Sequence, residues 1–316
     1  MAGFKTLFTD CDQDISALDR IFRENGVEYR LLACRTAADV IRECQGVEII
    51  LNQYAPLDAA VFAGLTGLRA VVRHGVGVNH IDLAAASRHG VKVCNVPDGS
   101  TDEVADHAMA LLLALGRKII PLNRKVREGG WSFRDAVPIF RLSACTAGVI
   151  GMGRIGSAFA VRARSFGMRI IAFDEIVRAR GGAPDFVAMV GLDEVLRQSD
   201  FISIHCPQDG NLDLIGAAEL AKMKKTAFIV NVARGGIVNE PALAQALADG
   251  VIAGAAADVA LREPIPADSP LLRLDNFICT PHIAYYSVTS VDDLAAKMAE
   301  EALRFFRGQP LRCPVN

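Results

Sequence analysis

Short apolar runs rich in Val, Ile and Leu alternate along the chain with stretches in which apolar residues recur every three or four positions. Runs of the first kind read as buried strands, and those of the second as helices. KTLFTD (5–10), VEYRLL (27–32), VEIILN (47–52), LRAVVR (68–73) and VKVCNV (91–96) form a first series of strand candidates. Between the first two, Ile15, Leu18, Ile21 and Phe22 show the helical spacing. This alternation predicts an α/β protein with parallel sheets covered by helices, because parallel neighbours need a crossover.

A longer helical pattern follows, EVADHAMALLLALGRKII, capped by Thr101 or Ser100 with Asp102 and Glu103 in its first turn. It is apolar on more than one face, so it must be buried in its own chain or against another subunit. A second series of strands begins at residue 146: TAGVI (146–150), MRIIAF (168–173), FISIH (201–205), AFIVNV (227–232), IAGAAADV (252–259) and FICT (277–280). Helical patterns at 154–166, 192–198, 216–223 and 240–248 separate them. Six strands with helical crossovers is the count of a full dinucleotide-binding domain. The stretch SVTSVDDLAAKMAEEALRFFRGQP reads as one amphipathic helix capped at Ser290 or Thr289, returning to the first domain. The expected division is 1–98 with 287–316, and 99–286 inserted between them.

Composition narrows the function classes. A length of 316 residues fits two domains of about 150 each. Lys plus Arg is 34 and Asp plus Glu 36, a net charge of −2, with 51% apolar and 22% charged residues. That excludes disorder as the main state and gives no basic stripe for nucleic acid. Arg117, Lys118, Arg124, Lys125 and Arg127 read as a solvated face. The purest apolar run, Ala108 to Leu115, has eight residues, far short of the about 20 of a membrane span. The beginning, MAGFKTLFTDCDQD, turns acidic at once, unlike a secretory leader. Eight cysteines without a C-x-x-C pair read as reduced thiols, and the expected location is cytoplasmic.

The first chemical motif is GVIGMGRIGSAF, which holds Gly151, Gly153 and Gly156 as G-x-G-x-x-G. It lies between a strand ending at Ile150 and a helix carrying Ile155, Phe159 and Ala163. In that setting Gly151 permits the tight turn, Gly153 lets backbone approach a pyrophosphate, and Gly156 lets helix and strand pack closely. Helix-start N–H groups face the phosphates. Asp174, 18 residues after Gly156, ends the next strand. A carboxylate there binds a ribose diol and repels a 2′-phosphate, so the expected cofactor is NAD.

A second constellation sits at later strand ends. Arg234 follows FIVNVA, Asp258 follows IAGAAA, Glu263 stands in DVALREP, and His282 follows FICTP. Ligands of open α/β sheets bind beyond the carboxyl ends of the strands, so these groups face one crevice. Arginine grips a carboxylate bidentately. Histidine exchanges protons near neutral pH, and a buried carboxylate beside it favours the imidazolium. Together they suit hydride transfer between a nicotinamide and a 2-keto acid. Of the other histidines, His74, His80 and His89 read as surface or loop residues, and His107 as a packing or interface residue. The neighbours of His205 suggest backbone contacts.

Along nearly its whole length the chain resembles the D-isomer-specific 2-hydroxyacid dehydrogenases. The motifs are RHGVGVNHID (73–82), CNVPDGSTDEVADHAMALLLAL (94–115), GVIGMGRIG (148–156), HCPQ (205–208), NVARGGIVNE (231–240), DVALREP (258–264) and TPHIA (280–284). The resemblance implies a Rossmann NAD-binding domain inserted in a flavodoxin-like substrate-binding domain. It places the arginine, glutamate and histidine of catalysis on Arg234, Glu263 and His282, and the carboxamide acceptor on Asp258. Val76 and Gly77 become a substrate-carboxylate nest, with Tyr54 and Arg73 beside the substrate. Thr101, Arg154, Ile155, Cys206, Pro207, Val232, Ala233 and His282 join the cofactor contacts. The helix from Thr101 onward becomes a homodimer interface.

ICTPHIAYYS (278–287) and the final CPVN resemble the corepressor branch of the family, in which Tyr285 lines an acyl pocket or packs at a hinge. Two alternatives follow: an NAD-gated binding protein, and a phosphoglycerate dehydrogenase. The intact Arg, Glu and His set weighs against the first. The loop LNQYAPLD (51–58), without Lys or Arg, weighs against the second.

Overall fold

The computed structural model describes residues 5–316. They form two compact units: residues up to Ser100 together with Tyr286–Asn316, and Thr101–Tyr285. The strands are β1 (Thr6–Phe8), β2 (Tyr29–Leu31), β3 (Ile49–Asn52), β4 (Ala70–Arg73), β5 (Lys92–Cys94), β6 (Thr146–Ile150), β7 (Arg169–Phe173), β8 (Val187–Met189), β9 (Phe201–Ile204), β10 (Phe228–Asn231), β11 (Gly254–Ala257) and β12 (Phe277–Cys279). The helices are α1 (Ser16–Glu24), α2 (Ala37–Glu43), α3 (Ala59–Gly64), α4 (Leu83–Arg88), α5 (Thr101–Gly116), α6 (Ile119–Arg127), α7 (Arg154–Ser165), α8 (Glu175–Arg180), α9 (Leu192–Gln198), α10 (Ala217–Leu220), α11 (Glu240–Ala248) and α12 (Val288–Phe306).

The first unit has one parallel sheet in the order β2-β1-β3-β4-β5, the flavodoxin-like order. Helix α12 lies against α1 and β4 in this unit. Its cap is Ser287, not Ser290 or Thr289: Ser287 Oγ accepts from Ser290 N at 2.9 Å, and Ser287 N donates to Ser290 Oγ at 2.8 Å. Ser290 is therefore the far member of a reciprocal capping pair, one turn inside the observed start. After α12 the chain runs antiparallel to β5, with Val315 N donating to Val93 O at 2.9 Å. That covers an edge strand that would otherwise offer unpaired backbone.

The second unit has seven parallel strands in the order β12-β11-β10-β9-β6-β7-β8. The expected six omit β8, a three-residue edge strand within FVAMV. Side chains alternate between two cores, as they must on a pleated strand. Ile170 and Ala172 face the cluster of Ala105, Ala108, Leu112 and Phe159, while Ile171 faces Val195, Leu220 and Leu243. Helix α5 packs on α7, β10 and β11. Its apolar faces are thus covered within its own unit.

The long helical pattern divides. Lys118 takes a left-handed backbone, φ 52°, between α5 and α6. Pro121 explains the break, because in one continuous helix it would lack a donor and press on the carbonyl of Arg117. At the start of α6 its missing N–H costs nothing. The 216–223 helix contracts to α10. Among the described residues no helix is long and apolar enough to cross a membrane.

Candidate active site

At the end of β6 the glycine turn is shaped by close backbone approach. Gly151 has φ 93°, and a Cβ there would lie 2.6 Å from Cys206 N. A Cβ on Gly156 would lie 2.0 Å from Gly151 O. Gly153 differs: it caps α7, is exposed, and has open space where its Cβ would project. The turn therefore presents bare backbone and a helix start, with exposed Arg154 and half-buried Ile155 following. Asp174 closes it from β7. Its Oδ2 accepts from Met152 N and its Oδ1 from Val177 N, both at 2.9 Å, so one carboxylate ties the glycine turn to the start of α8. Two lone-pair positions remain for a diol. The open face at Gly153 and the acid behind it fit a dinucleotide.

Cys206, Pro207, Val232 and Ala233 follow β9 and β10, the strands beside β6 on its other flank. His205 is held under the turn, with Nε2 2.8 Å from Ser203 Oγ and its ring 5.2 Å from Phe159. Burial pulls it down to about 3, a neutral ring.

Arg234, Asp258, Glu263 and His282 leave three adjacent parallel strands, β10, β11 and β12, beyond their carboxyl ends. His282 Nδ1 lies 2.7 Å from Glu263 Oε2. Glu263 Oε1 accepts from Ala260 N at 3.0 Å. Partial burial pushes the Glu263 carboxyl up, but the His282 and Ala260 hydrogen bonds and the charges of His282 and Arg234 prevail and hold it below 4.5. The pair is not buried as expected: His282 is 43% and Glu263 40% exposed. Arg234 is half-buried, and its Nη1 donates to Ala233 O at 2.7 Å. Burial draws its guanidinium down while the Glu263 charge opposes that.

Asp258 is 1% exposed and almost saturated. Oδ1 accepts from Thr280 Oγ1 at 2.6 Å and Ile283 N at 3.0 Å, and Oδ2 accepts from Ala284 N at 2.8 Å. Its first duty is to shape the turn that carries His282. Asn231, missed in the sequence, does the same for Arg234. Its Oδ1 accepts from Ala233 N at 3.0 Å and its Nδ2 donates to Arg234 O at 2.9 Å. The signal was a buried asparagine ending an apolar strand. Tyr285 packs against the Ala105–Phe159 cluster.

Tyr54, Arg73, Val76 and Gly77 belong to the first unit. Tyr54 is 53% exposed on a loop held by Asp10, whose Oδ2 accepts from Tyr54 N at 2.7 Å and Oδ1 from Ala55 N at 3.1 Å. Arg73 Nη1 donates to His74 O, and its guanidinium fills the space a Cβ on Gly75 would need. Val76 is exposed and Gly77 half-buried. His74 is not a surface residue: it is 2% exposed, edge-on to Phe8. The β3–β4 ladder continues through it, with His74 N donating to Asn52 O at 2.8 Å. Burial, with Arg73 beside it, pulls His74 down to about 4.

Comparison with known proteins identifies the family. Residues 109–284 match the family described as D-isomer specific 2-hydroxyacid dehydrogenase, NAD binding domain. A D-3-phosphoglycerate dehydrogenase of Archaeoglobus fulgidus is 38% identical over 296 residues, 93% of this chain. The match covers 56% of that relative, so the chain spans just over half its length. A glyoxylate reductase of Korarchaeum cryptofilum is 40% identical over 274 residues, 85% of this chain and 82% of that protein. The crystal structure of the TT0316 protein from Thermus thermophilus superposes with a TM-score of 0.89 at 32% identity, covering 98% of this chain and 99% of that one. The chain belongs to the D-isomer specific 2-hydroxyacid dehydrogenase family, with an NAD-binding domain over residues 109–284.

Proposed function

We propose that the protein is an NAD-dependent D-2-hydroxyacid dehydrogenase that interconverts a small 2-keto acid and the corresponding D-2-hydroxy acid. The observation that carries this reading is the 2.7 Å contact between His282 Nδ1 and Glu263 Oε2, beside Arg234 on the next strand end but one. With Nδ1–H committed to the carboxylate, Nε2 is the nitrogen left to exchange a proton. In the reductive direction the imidazolium gives that proton to the 2-keto oxygen, and Glu263 steadies the positive ring. In the oxidative direction the neutral ring takes the hydroxyl proton. Arg234 holds the substrate carboxylate in this reading, and within the first unit the N–H groups of Val76 and Gly77, with Tyr54 and Arg73, are the groups assigned to the substrate.

The NAD cofactor is held by Thr101, Gly151, Gly153, Arg154, Ile155, Gly156, Asp174, Cys206, Pro207, Val232, Ala233, Asp258 and His282. When bound, it supplies or accepts the hydride. The Asp258 carboxylate, with three of about four acceptor positions taken by the chain, keeps one for a carboxamide.

The reading extends to a homodimer in the cytoplasm. Eight free cysteines favour a reducing compartment. The dimer surface moves from α5, which is covered by its own unit, to α6 and the segment after it. Ile119, Ile120, Val126, Trp131 and Phe133 are exposed there, Trp131 at 88%.

The test is NADH consumption by purified protein with glyoxylate, hydroxypyruvate, pyruvate, phenylpyruvate and phosphohydroxypyruvate, and NADPH in parallel. Turnover of a small unphosphorylated keto acid with NADH is expected. Turnover of phosphohydroxypyruvate alone would replace it with the phosphoglycerate reading, and preference for NADPH would overturn the role of Asp174. Tight NADH binding without any turnover would favour the NAD-gated binding protein.

A further inference from the structure

His282 has a left-handed backbone, φ 53°, a conformation that costs a residue with a Cβ of order 1 kcal/mol or more. Asp258 does most to hold it there, beside Thr280 O, which also accepts from His282 N at 3.0 Å. Asp258 O accepts from His282 N at 2.8 Å, while its carboxylate takes the next two N–H groups, Ile283 and Ala284, at 3.0 and 2.8 Å. Three successive donors of the histidine turn thus end on Asp258.

Asp258 is itself aimed by a chain of side chains outside the machinery described so far. Thr280 Oγ1 donates to Asp258 Oδ1 at 2.6 Å. A hydroxyl has one proton, so towards His107 Nε2, 3.0 Å away, Thr280 can only accept. That contact fixes His107 as a donor at Nε2. The same nitrogen lies 3.6 Å from Asp258 Oδ1, and His107 is 23% exposed on α5, whose apolar residues pack in the core. A mid-helix residue read as packing is therefore the outer end of a line His107–Thr280–Asp258 that terminates at the His282 backbone.

We propose that His107 and Thr280 are positioning residues for proton transfer at His282: through Asp258 they set the turn that aims the imidazole. This rests on the reading of His282 as the proton-exchanging group. Their side chains act through the turn and touch no reacting atom.

The experiment compares Thr280→Val, His107→Phe and His107→Gln with the unaltered protein in kcat and KM for the preferred keto acid. NADH affinity, melting temperature and nitrogen NMR of the histidine rings without cofactor are measured alongside. Thr280→Val keeps shape but loses the hydroxyl. It is expected to lower kcat by about 10–10²-fold, the cost of slightly misplaced groups, with KM for the keto acid near that of the unaltered protein. His107→Gln still presents an N–H to Thr280 and is expected to recover most of the activity that His107→Phe loses. The NMR spectrum should show His107 as the Nε2–H form when neutral, with that preference lost in Thr280→Val.

Unchanged kcat in Thr280→Val, equal kcat in His107→Gln and His107→Phe, or a His107 Nδ1–H form would each overturn the inference. An unaltered protein that reduces no keto acid would instead overturn the reading of His282, and the NMR result would still decide whether the line exists.

Discussion

The glycine turn and the histidine corner sit at the same edge of one sheet, yet they are built by opposite means. At residues 151–156 the working surface is backbone, cleared of side chains so that strand, helix and a neighbouring loop can close within contact distance. At 234, 258, 263 and 282 the working surface is side chains, delivered from three strand ends and aimed by hydrogen bonds to their own turns. The first region fails when atoms are added, and the second when they are removed. Substitutions chosen along that divide test whether the two regions are as separate as they look.

The largest expected effect is at the corner. His282→Ala removes the ring assigned to proton exchange and should cut keto-acid turnover by about 10²–10⁴-fold. NADH binding should largely persist, because His282 is one of many cofactor contacts and the glycine turn and Asp174 are untouched. Turnover near that of the unaltered protein would move the proton role elsewhere, and lost NADH binding would show the two regions coupled.

Next comes an addition to the turn. Gly156→Ala places a Cβ 2.0 Å from Gly151 O, a backbone atom with nowhere to go. Overpacking of this kind costs about 1–3 kcal/mol. The prediction is a lower melting temperature together with weaker NADH binding. A variant that melts normally would mean that the turn relaxes at no cost.

Glu263→Gln is a smaller removal, since it keeps a hydrogen-bonding shape while losing the charge. Turnover should fall by about tenfold, the modest end of the effects seen when acid–base groups lose support. The pair also leaves a signature in stability. The Glu263 carboxyl titrates below its ordinary 4.5 in the folded chain, so unfolding raises its proton affinity. Its contribution is full above that value and is lost as pH falls through the lowered one. Melting curves of the two proteins should therefore differ near neutrality, draw together as pH falls below 4.5, and meet only below the lowered value. With both side chains about 40% exposed, the gap is small. Curves that diverge in acid would have the wrong sign for this pair.

The same divide explains what could be read from the chain beforehand. Identity of strands follows from apolar runs, and strands as short as β1, β2, β5 and β12 are legible in that way, whereas β8, equally short, escaped. The glycine turn was legible because its spacing is local: neighbours in sequence do the work. Arg234, Glu263 and His282 could be placed only by knowing where strands end. Of their supports, Asn231 leaves a local trace as an asparagine ending an apolar strand, while Thr280 and His107 leave none, because each acts on a partner in another element. His74 was misjudged for a related reason. Nothing in RHGVG shows that the ladder of β4 runs one residue further and takes the ring inside.

Gly153 gives the sharpest separation because the expected structural effect is close to zero. Its φ of −70° suits any residue, and a Cβ would meet nothing within 4 Å. Alanine there should leave the melting temperature unchanged, or raise it slightly by restricting the unfolded chain. The cost falls on the ligand, because that open face is where backbone must approach a pyrophosphate. NADH affinity should drop by about tenfold, the size of one lost hydrogen bond to a charged group. KM for the keto acid at saturating NADH should stay put. Unchanged NADH affinity in a normally folded Gly153→Ala would mean that the open space at the turn is incidental and that the dinucleotide lies elsewhere along the edge.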